Sequence, residues 1–438
     1  MLQRLPFRGG NWNNGSNAGL AARNLNNERS NTNSNIGFRP ALNDCPKQRG
    51  HGFADSASIK RALSPHPQGE KYTGSRRLVG APSAFGCRPK QSKGFEVKTY
   101  NNLYPSIYEL ENLHNAYLKA RLGKRERTEV LRFERDLEGN LIRLQEHLVN
   151  ETYTTGQYRK FYVHEPKHRL VAALPFRDRV TQHALISVIE PIWERRFIHH
   201  SYACRPGRGM HKGSTQAQQW LREVQRQHGT AYCLKADVSK YFASIDQDVL
   251  GGILSRKIAC QPTLNLCKNI MASWPQGLPI GNLTSQLWAN IYLHELDAMV
   301  KHELRIHRYI RYMDDFVIIH HDKSYLKAVL NTITEFLNNA LKLRLNNKTQ
   351  IFPVSQNNGR ALDFLGYRTW PTHKRIRKDS VKRMNKKMKK MARLYATGDI
   401  DHDYIKRRIV SWVGHAQYAD SYRIRNKVLG SVTFKREG

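Results

Sequence analysis

Arg311-Tyr312-Met313-Asp314-Asp315-Phe316-Val317-Ile318-Ile319 sets two adjacent carboxylates in a tight turn between apolar runs. Adjacent acids at a hairpin tip repel, so the arrangement is costly unless a cation sits there. A third acid, Asp237, ends the apolar run Ala231-Tyr232-Cys233-Leu234-Lys235-Ala236 and precedes Val238-Ser239-Lys240-Tyr241-Phe242. If the two runs are neighbouring strands, Asp237 and Asp314 converge on one face and can hold two divalent cations about 3.5–4 Å apart, the geometry for in-line phosphoryl transfer. An isolated Asp-Asp pair is commonly only a solvated turn. The rest of the chain decides between the two.

Composition narrows the choice. The 438 residues carry 72 Lys and Arg against 36 Asp and Glu, a formal net charge of +36. An excess of this size points to a polyphosphate partner, because each neutralised phosphate releases condensed counterions. A membrane is the rival, but no apolar run approaches the roughly 20 residues needed to span one. Met1-Leu2-Gln3-Arg4-Leu5-Pro6-Phe7 lacks the apolar core of a signal peptide, so a cytoplasmic protein is expected. The six cysteines (Cys45, Cys87, Cys204, Cys233, Cys260, Cys267) lack zinc or disulfide spacing and read as free, mostly buried thiols. His199-His200 and His320-His321 read as incidental, since neighbours on one strand point to opposite faces.

Organisation changes near residue 96. Ten asparagines fall between Asn11 and Asn35 among glycine and serine, and the stretch to Lys93 has no sustained periodicity. Such a segment buries too little apolar surface to offset its ordering entropy, so residues 1–96 read as a disordered extension. Beyond it, Val130, Phe133, Leu137, Leu141, Leu144 and Leu148 predict one long helix interrupted near Gly139. Val180, Ala184, Val188 and Ile192 predict a second helix, with Pro191 and Trp193 in its last turn. Strands are expected at Phe161 to His164, Leu170 to Leu174, Tyr232 to Val238, Tyr309 to Tyr312 and Phe316 to His320. Thr284 is placed as the cap of a helix through Leu287, Ile291 and Leu296. From Lys374 onward the tail reads as basic and helical.

Five segments in order give a family resemblance. Pro175-Phe176-Arg177-Asp178-Arg179-Val180-Thr181-Gln182, Ser201-Tyr202-Ala203-Cys204-Arg205-Pro206-Gly207-Arg208-Gly209, Asp237 to Phe242, Tyr312 to Asp315 and Asp363-Phe364-Leu365-Gly366-Tyr367 resemble the fingers, palm-entry, two metal and primer-grip motifs of bacterial retroelement reverse transcriptases. The resemblance implies an α+β, right-hand polymerase. Residues 97–230 would be fingers and palm entry, 231–370 palm, and 371–438 a basic helical thumb. It also implies an RNA-directed DNA polymerase, a nucleotidyltransferase using two Mg2+ ions. Asp237 and Asp314 would bridge the ions, the Val238 carbonyl would add a ligand, and Asp315 would complete the set, closer to support than to bridging. By the same resemblance Lys348 would protonate pyrophosphate, Lys167 and Arg169 would grip the triphosphate, and Phe242 would exclude a ribose 2′-hydroxyl. An RNA template, a primer duplex and dNTPs are the implied partners, with a small basic accessory protein.

One run departs from the common pattern. Most reverse transcriptases carry Gln in a Leu-Pro-Gln-Gly-type loop, whereas this chain reads Gly277-Leu278-Pro279-Ile280-Gly281-Asn282-Leu283-Thr284-Ser285-Gln286. The Ile-Gly-Asn-Leu-Thr-Ser-Gln run resembles the enzymes of diversity-generating retroelements, which copy a template-repeat RNA with frequent errors at adenines. Ile280 removes a hydrogen-bonding side chain, and apolar sites discriminate less well than hydrogen-bonding ones. Ile280 and Arg169 would permit the infidelity, and Gln286 closes the substrate-binding run. The leader from Arg8 to Pro40 resembles the asparagine-rich variable segment that such elements diversify. Residues 1–96 therefore read as translated template repeat and spacer, with Val97 as the expected start; about 40 lectin-like residues make no stable core unaided. Alternatives are a group II intron or phage-defence enzyme, and a decayed nucleic-acid-binding scaffold. The short reach beyond the thumb speaks against the intron form, and the three retained acids speak against decay.

Overall fold

The computed structural model describes residues 98–164 and 168–436. The expectations for residues 1–96, for Lys167 and for Cys45 and Cys87 lie outside the described residues.

Helices open the described chain: α1 Tyr104–Tyr108, α2 Leu110–Ala120, α3 Thr128–Glu134 and α4 Leu137–Val149. The long helix expected through Val130 and Leu148 is thus two, and the break falls at Arg135-Asp136 rather than near Gly139. The Asp136 carboxylate accepts from the Gly139 amide at 3.2 Å and starts a new helix. Then come β1 Arg159–Val163 and β2 Arg169–Ala173, an antiparallel hairpin, followed by α5 Phe176–Glu194 and α6 Met210–His228. Pro191 stays inside α5, whose Val180, Ala184 and Ile192 are buried as the spacing requires.

The central sheet is built from β3 Tyr232–Asp237, β4 Tyr309–Tyr312, β5 Asp315–His320 and β6 Gln350–Pro353, in the order β4-β5-β3-β6, each neighbour antiparallel. Between β3 and β4 lie α7 Tyr241–Ser244, α8 Gln247–Ser255, α9 Gln261–Ala272 and α10 Leu283–Ala298; α11 Lys323–Leu341 follows β5. Both faces of the sheet are covered. Leu234, Ala236, Phe316 and Ile318 join one core cluster, and Cys233, Val317, Ile319 and Phe352 join another. Burial on both sides is why β5 reads as a continuous apolar run instead of an alternating one.

Thr284 does not cap α10. It sits inside the helix, whose Leu283 and Thr284 amides reach the side-chain oxygen of Gln182 on α5 at 3.0 and 3.5 Å. A buried amide from another helix supplies the cap that the local sequence lacks.

A second, three-stranded sheet, β7 Leu362–Phe364, β8 Tyr367–Thr369 and β9 Lys374–Ile376, precedes helices α12 Lys378–Ala396, α13 His402–Ala416 and α14 Tyr422–Leu429. The tail is therefore not helical from Lys374. That residue pairs with Thr369 in the ladder, and its ammonium lies 5.0 Å from the Tyr367 ring centre. On α12, Met384, Met388 and Met391 are buried against Ile405 and Val428, while Lys382, Arg383, Lys386, Lys387, Lys389 and Lys390 face solvent.

The histidine pairs do not follow the strand geometry by which they were read. Neither pair lies wholly within a strand, so the rings of His199 and His200 come within 4.6 Å and those of His320 and His321 within 4.3 Å. Cys233, Cys260 and Cys267 are buried free thiols, and Cys204 is half-buried. No helix among the described residues is long and apolar enough to cross a membrane.

Candidate active site

Strands β3, β4 and β5 carry the three acids to one edge. Asp237 pairs directly with Asp315 in the β3–β5 ladder, and the Val238 amide donates to the Asp314 carbonyl at 3.2 Å. Cross-strand partners share a face, so Asp237 and Asp315 point to the same side of the sheet as Lys235. The connection from β4 to β5 is only Met313-Asp314, with Met313 in the left-handed region at φ +56°. A non-glycine residue there is strained, and such strain persists only where surrounding structure fixes it.

Asp315 Oδ1 is sealed from solvent without a hydrogen-bond partner, and Oδ2 lies 4.0 Å from the Lys235 ammonium. Burial pushes the Asp315 carboxyl up to about 7 against the pull of Lys235, and Asp237 and Asp314 add to the rise. Among the described residues no group of three or more His, Cys, Asp or Glu forms a ready-made metal cage. Mg2+ seldom uses such a cage: it takes one or two carboxylates and completes its shell with water and substrate phosphate. The oxygen donors here, and the orphaned Oδ1, fit a hard divalent cation.

A loop covers the site from the β6 side. The Asn346 amide donates to the Asp237 carbonyl at 2.7 Å, and its side-chain nitrogen lies 3.4 Å from Asp237 Oδ2. Lys348 follows two residues later, exposed, its amide 3.0 Å from Asn346 Oδ1. The loop thus brings Lys348 to the flank of Asp237.

The run from Gly277 to Gly281 ties three expected residues together through backbone. The Leu278 amide donates to the Phe242 carbonyl at 2.7 Å, and the Ala172 amide of β2 donates to the Ile280 carbonyl at 2.8 Å. Both approaches need glycine. A Cβ on Gly277 would meet the Phe242 oxygen at 2.3 Å and one on Gly281 the Ala172 oxygen at 2.2 Å, and both residues have positive φ. Phe242, on α7, and Ile280 are half-buried, and Arg169 begins the strand to which Ile280 is bonded. Gln286 lies half-buried at the end of the first turn of α10.

Comparison with known proteins bears on this geometry. Residues 161–369 match the family model described as reverse transcriptase (RNA-dependent DNA polymerase). These residues are a reverse transcriptase domain. They form the catalytic domain of an RNA-directed DNA polymerase, and every candidate site residue falls within them. Protein YkfC of Escherichia coli is 27% identical over 271 residues, 51% of this chain and 70% of its own. The group II intron-encoded protein LtrA of Lactococcus lactis is 28% identical over 177 residues, 37% of this chain and 28% of LtrA. Nuclear intron maturase 2 of Arabidopsis thaliana is 26% identical over 151 residues, 31% of this chain and 20% of its own. The chain thus spans less than a third of the intron-encoded and maturase relatives.

Within the reverse transcriptase domain the structure gathers Asp237, Val238, Asp314, Asp315 and the Lys348 loop at one sheet edge, and Phe242, Ile280 and the Arg169 strand around one loop. Sequence reasoning missed three participants. Lys235 bridges Asp315 to the second sheet, donating to the Asp363 carbonyl at 2.7 Å. Its signal was a lone cation in an apolar run two residues before Asp237, hence on the same face. Asn346 touches Asp237 from a site 109 residues away, and Gln182 caps α10 from 101 residues away. Neither carries a local signal.

Proposed function

We propose that this chain is a right-hand polymerase that copies a template-repeat RNA into adenine-mutated cDNA for diversification of a target gene. Two Mg2+ ions held by Asp237, Asp314 and the Val238 carbonyl would activate the primer 3′-hydroxyl and neutralise the triphosphate. The chain's own residues do the positioning. Arg169, with Lys167, holds the triphosphate oxygens, a task suited to the guanidinium fork. The half-buried Phe242 ring would leave no room for a ribose 2′-hydroxyl and so select deoxynucleotides. Lys348, exposed on the Asn346 loop, carries the proton for departing pyrophosphate. Gln286 supports the nucleotide-facing loop, and the basic face of α12 grips the duplex as the thumb.

The single observation carrying the low-fidelity reading is Ile280, whose carbonyl is held by β2 and which lies two residues from Leu278, itself bonded to the Phe242 carbonyl. It presents an apolar branched side chain in a loop pinned at both ends, where a hydrogen-bonding amide would help fix base-pair geometry. Replacing it tests the reading directly. Ile280→Gln should lower misincorporation opposite template adenine about tenfold while leaving the rate on other bases nearly unchanged. An unchanged error rate would remove Ile280 from the account.

The likeness to LtrA favours a second reading, a group II intron-type enzyme. That reading expects errors spread evenly over the four template bases.

A further inference from the structure

Behind the catalytic turn lies a closed polar network that phosphoryl transfer does not itself call for. Arg311, in β4, is fully buried, as is Asp297 on α10. The guanidinium meets the carboxylate twice, Nε to Oδ1 at 2.7 Å and Nη2 to Oδ2 at 2.6 Å. Nη1 donates to Asn290 Oδ1 at 3.1 Å and to the Met313 carbonyl at 3.0 Å. The Tyr309 hydroxyl donates to Asp297 at 2.8 Å, and the Asn290 amide donates to the Ala203 carbonyl at 2.9 Å. The Arg311 backbone is fixed too, its amide bonded to the His200 carbonyl and its carbonyl to the Tyr202 amide, both at 3.0 Å.

A buried ion pair is a poor device for stability, because desolvation offsets the attraction and apolar residues of like volume do as well. What this one has that an apolar replacement lacks is a hydrogen bond into the active-site turn. The bond ends on Met313, the strained residue that immediately precedes Asp314. We propose that Arg311 is a positioning residue, anchored by Asp297 and Asn290, that fixes the Met313 carbonyl and thereby the Asp314 carboxylate. Only a planar fork addresses all these acceptors at once; a lysine ammonium paired with Asp297 leaves Met313 unheld. The role rests on the polymerase reading above, in which Asp314 holds cation.

Two full-length variants test it. Arg311→Lys keeps the charge, and the double variant Arg311→Met with Asp297→Leu removes both charges at similar volume. Mn2+ binding, followed by paramagnetic resonance without nucleotide, reads the site apart from turnover. Melting temperature, Mg2+ half-saturation, kcat and the KM for dNTP complete the set. The expected result is Mn2+ affinity about tenfold weaker in both variants, Mg2+ half-saturation raised, and kcat down about 10- to 100-fold with KM within about twofold, as a displaced reacting group requires. A folded double variant with wild-type Mn2+ affinity and kcat would overturn the proposal. So would unfolding of both variants, which would make Arg311 a stability residue only. If the wild-type protein itself extends no primer, the polymerase reading falls, and the Mn2+ measurement still decides the role of Arg311.

Discussion

Two hairpins among the described residues turn on two residues each, and they fill the turn differently. In the β7–β8 hairpin the loop is Leu365-Gly366, with φ of +52° and +86°, so glycine takes one of the two left-handed positions. The Tyr367 hydroxyl closes it, bonded to His211 Nδ1 at 2.7 Å and donating to the His415 carbonyl at 2.9 Å. In the β4–β5 hairpin the loop is Met313-Asp314, with no glycine, a strained methionine and an acid beside a second acid. Each turn carries one non-glycine residue in the left-handed region, Leu365 and Met313, so backbone strain does not separate the two. What separates the β4–β5 turn is its pair of adjacent acids and the buried arginine that holds it from behind, neither of which joining two strands requires.

The comparison can be broken by mutation. The largest effect belongs to the acid: Asp314→Ala should lower single-turnover incorporation about 10³-fold or more, with melting temperature equal to or above wild type because a repulsion is gone. Near-normal incorporation would make this turn no different from the other. Next, Gly366→Val forces a branched residue into the left-handed region and brings a Cβ within 3.1 Å of His415 Cε1. It should cost about 1–2 kcal/mol of stability, read by denaturant melts, while the folded fraction keeps its metal dependence. Met313→Gly relieves the strain but removes a side chain packed on the core, so stability should change by less than about 1 kcal/mol while kcat falls severalfold as the turn loosens.

An effect outside catalysis comes from pH. His200, whose carbonyl receives the Arg311 amide, is held well below its ordinary range, at about 4, by burial first and then by His199, Lys301 and Arg208. The unfolded chain therefore takes up the proton first. Stability should be full above about pH 6.5 and fall by on the order of 1 kcal/mol as pH drops toward 4, a size discounted for the partial exposure of the ring. His200→Phe should flatten that slope in melts across the same range.

How far the sequence reached depends on whether a signal was local. The strands from Tyr232 to Asp237 and Tyr309 to His320 were legible because they are apolar runs broken by a turn, and the acids stood at their ends. β6 was not, being four residues with mixed exposure and ending in Pro353. The break before α4 was misplaced because Gly139 looked like the interruption, when Asp136 was the cap and Gly139 its donor. Arg311 was quoted with the catalytic stretch, yet its role stayed hidden. Asp297 lies 14 residues upstream on a helix, and only the fold reveals that the pair is buried. The loop from Gly277 to Gly281 was recognisable by pattern, while the reason for its glycines, contact with the Phe242 and Ala172 carbonyls, needed coordinates.

The most direct test is the error spectrum of the wild-type protein. Purified enzyme is given an RNA template, a primer, four dNTPs and Mg2+, and the cDNA is sequenced. The account predicts Mg2+-dependent synthesis with mismatches concentrated opposite template adenines. Synthesis with errors spread evenly over the four bases would contradict the low-fidelity reading, and absence of template-directed synthesis would contradict the polymerase site itself.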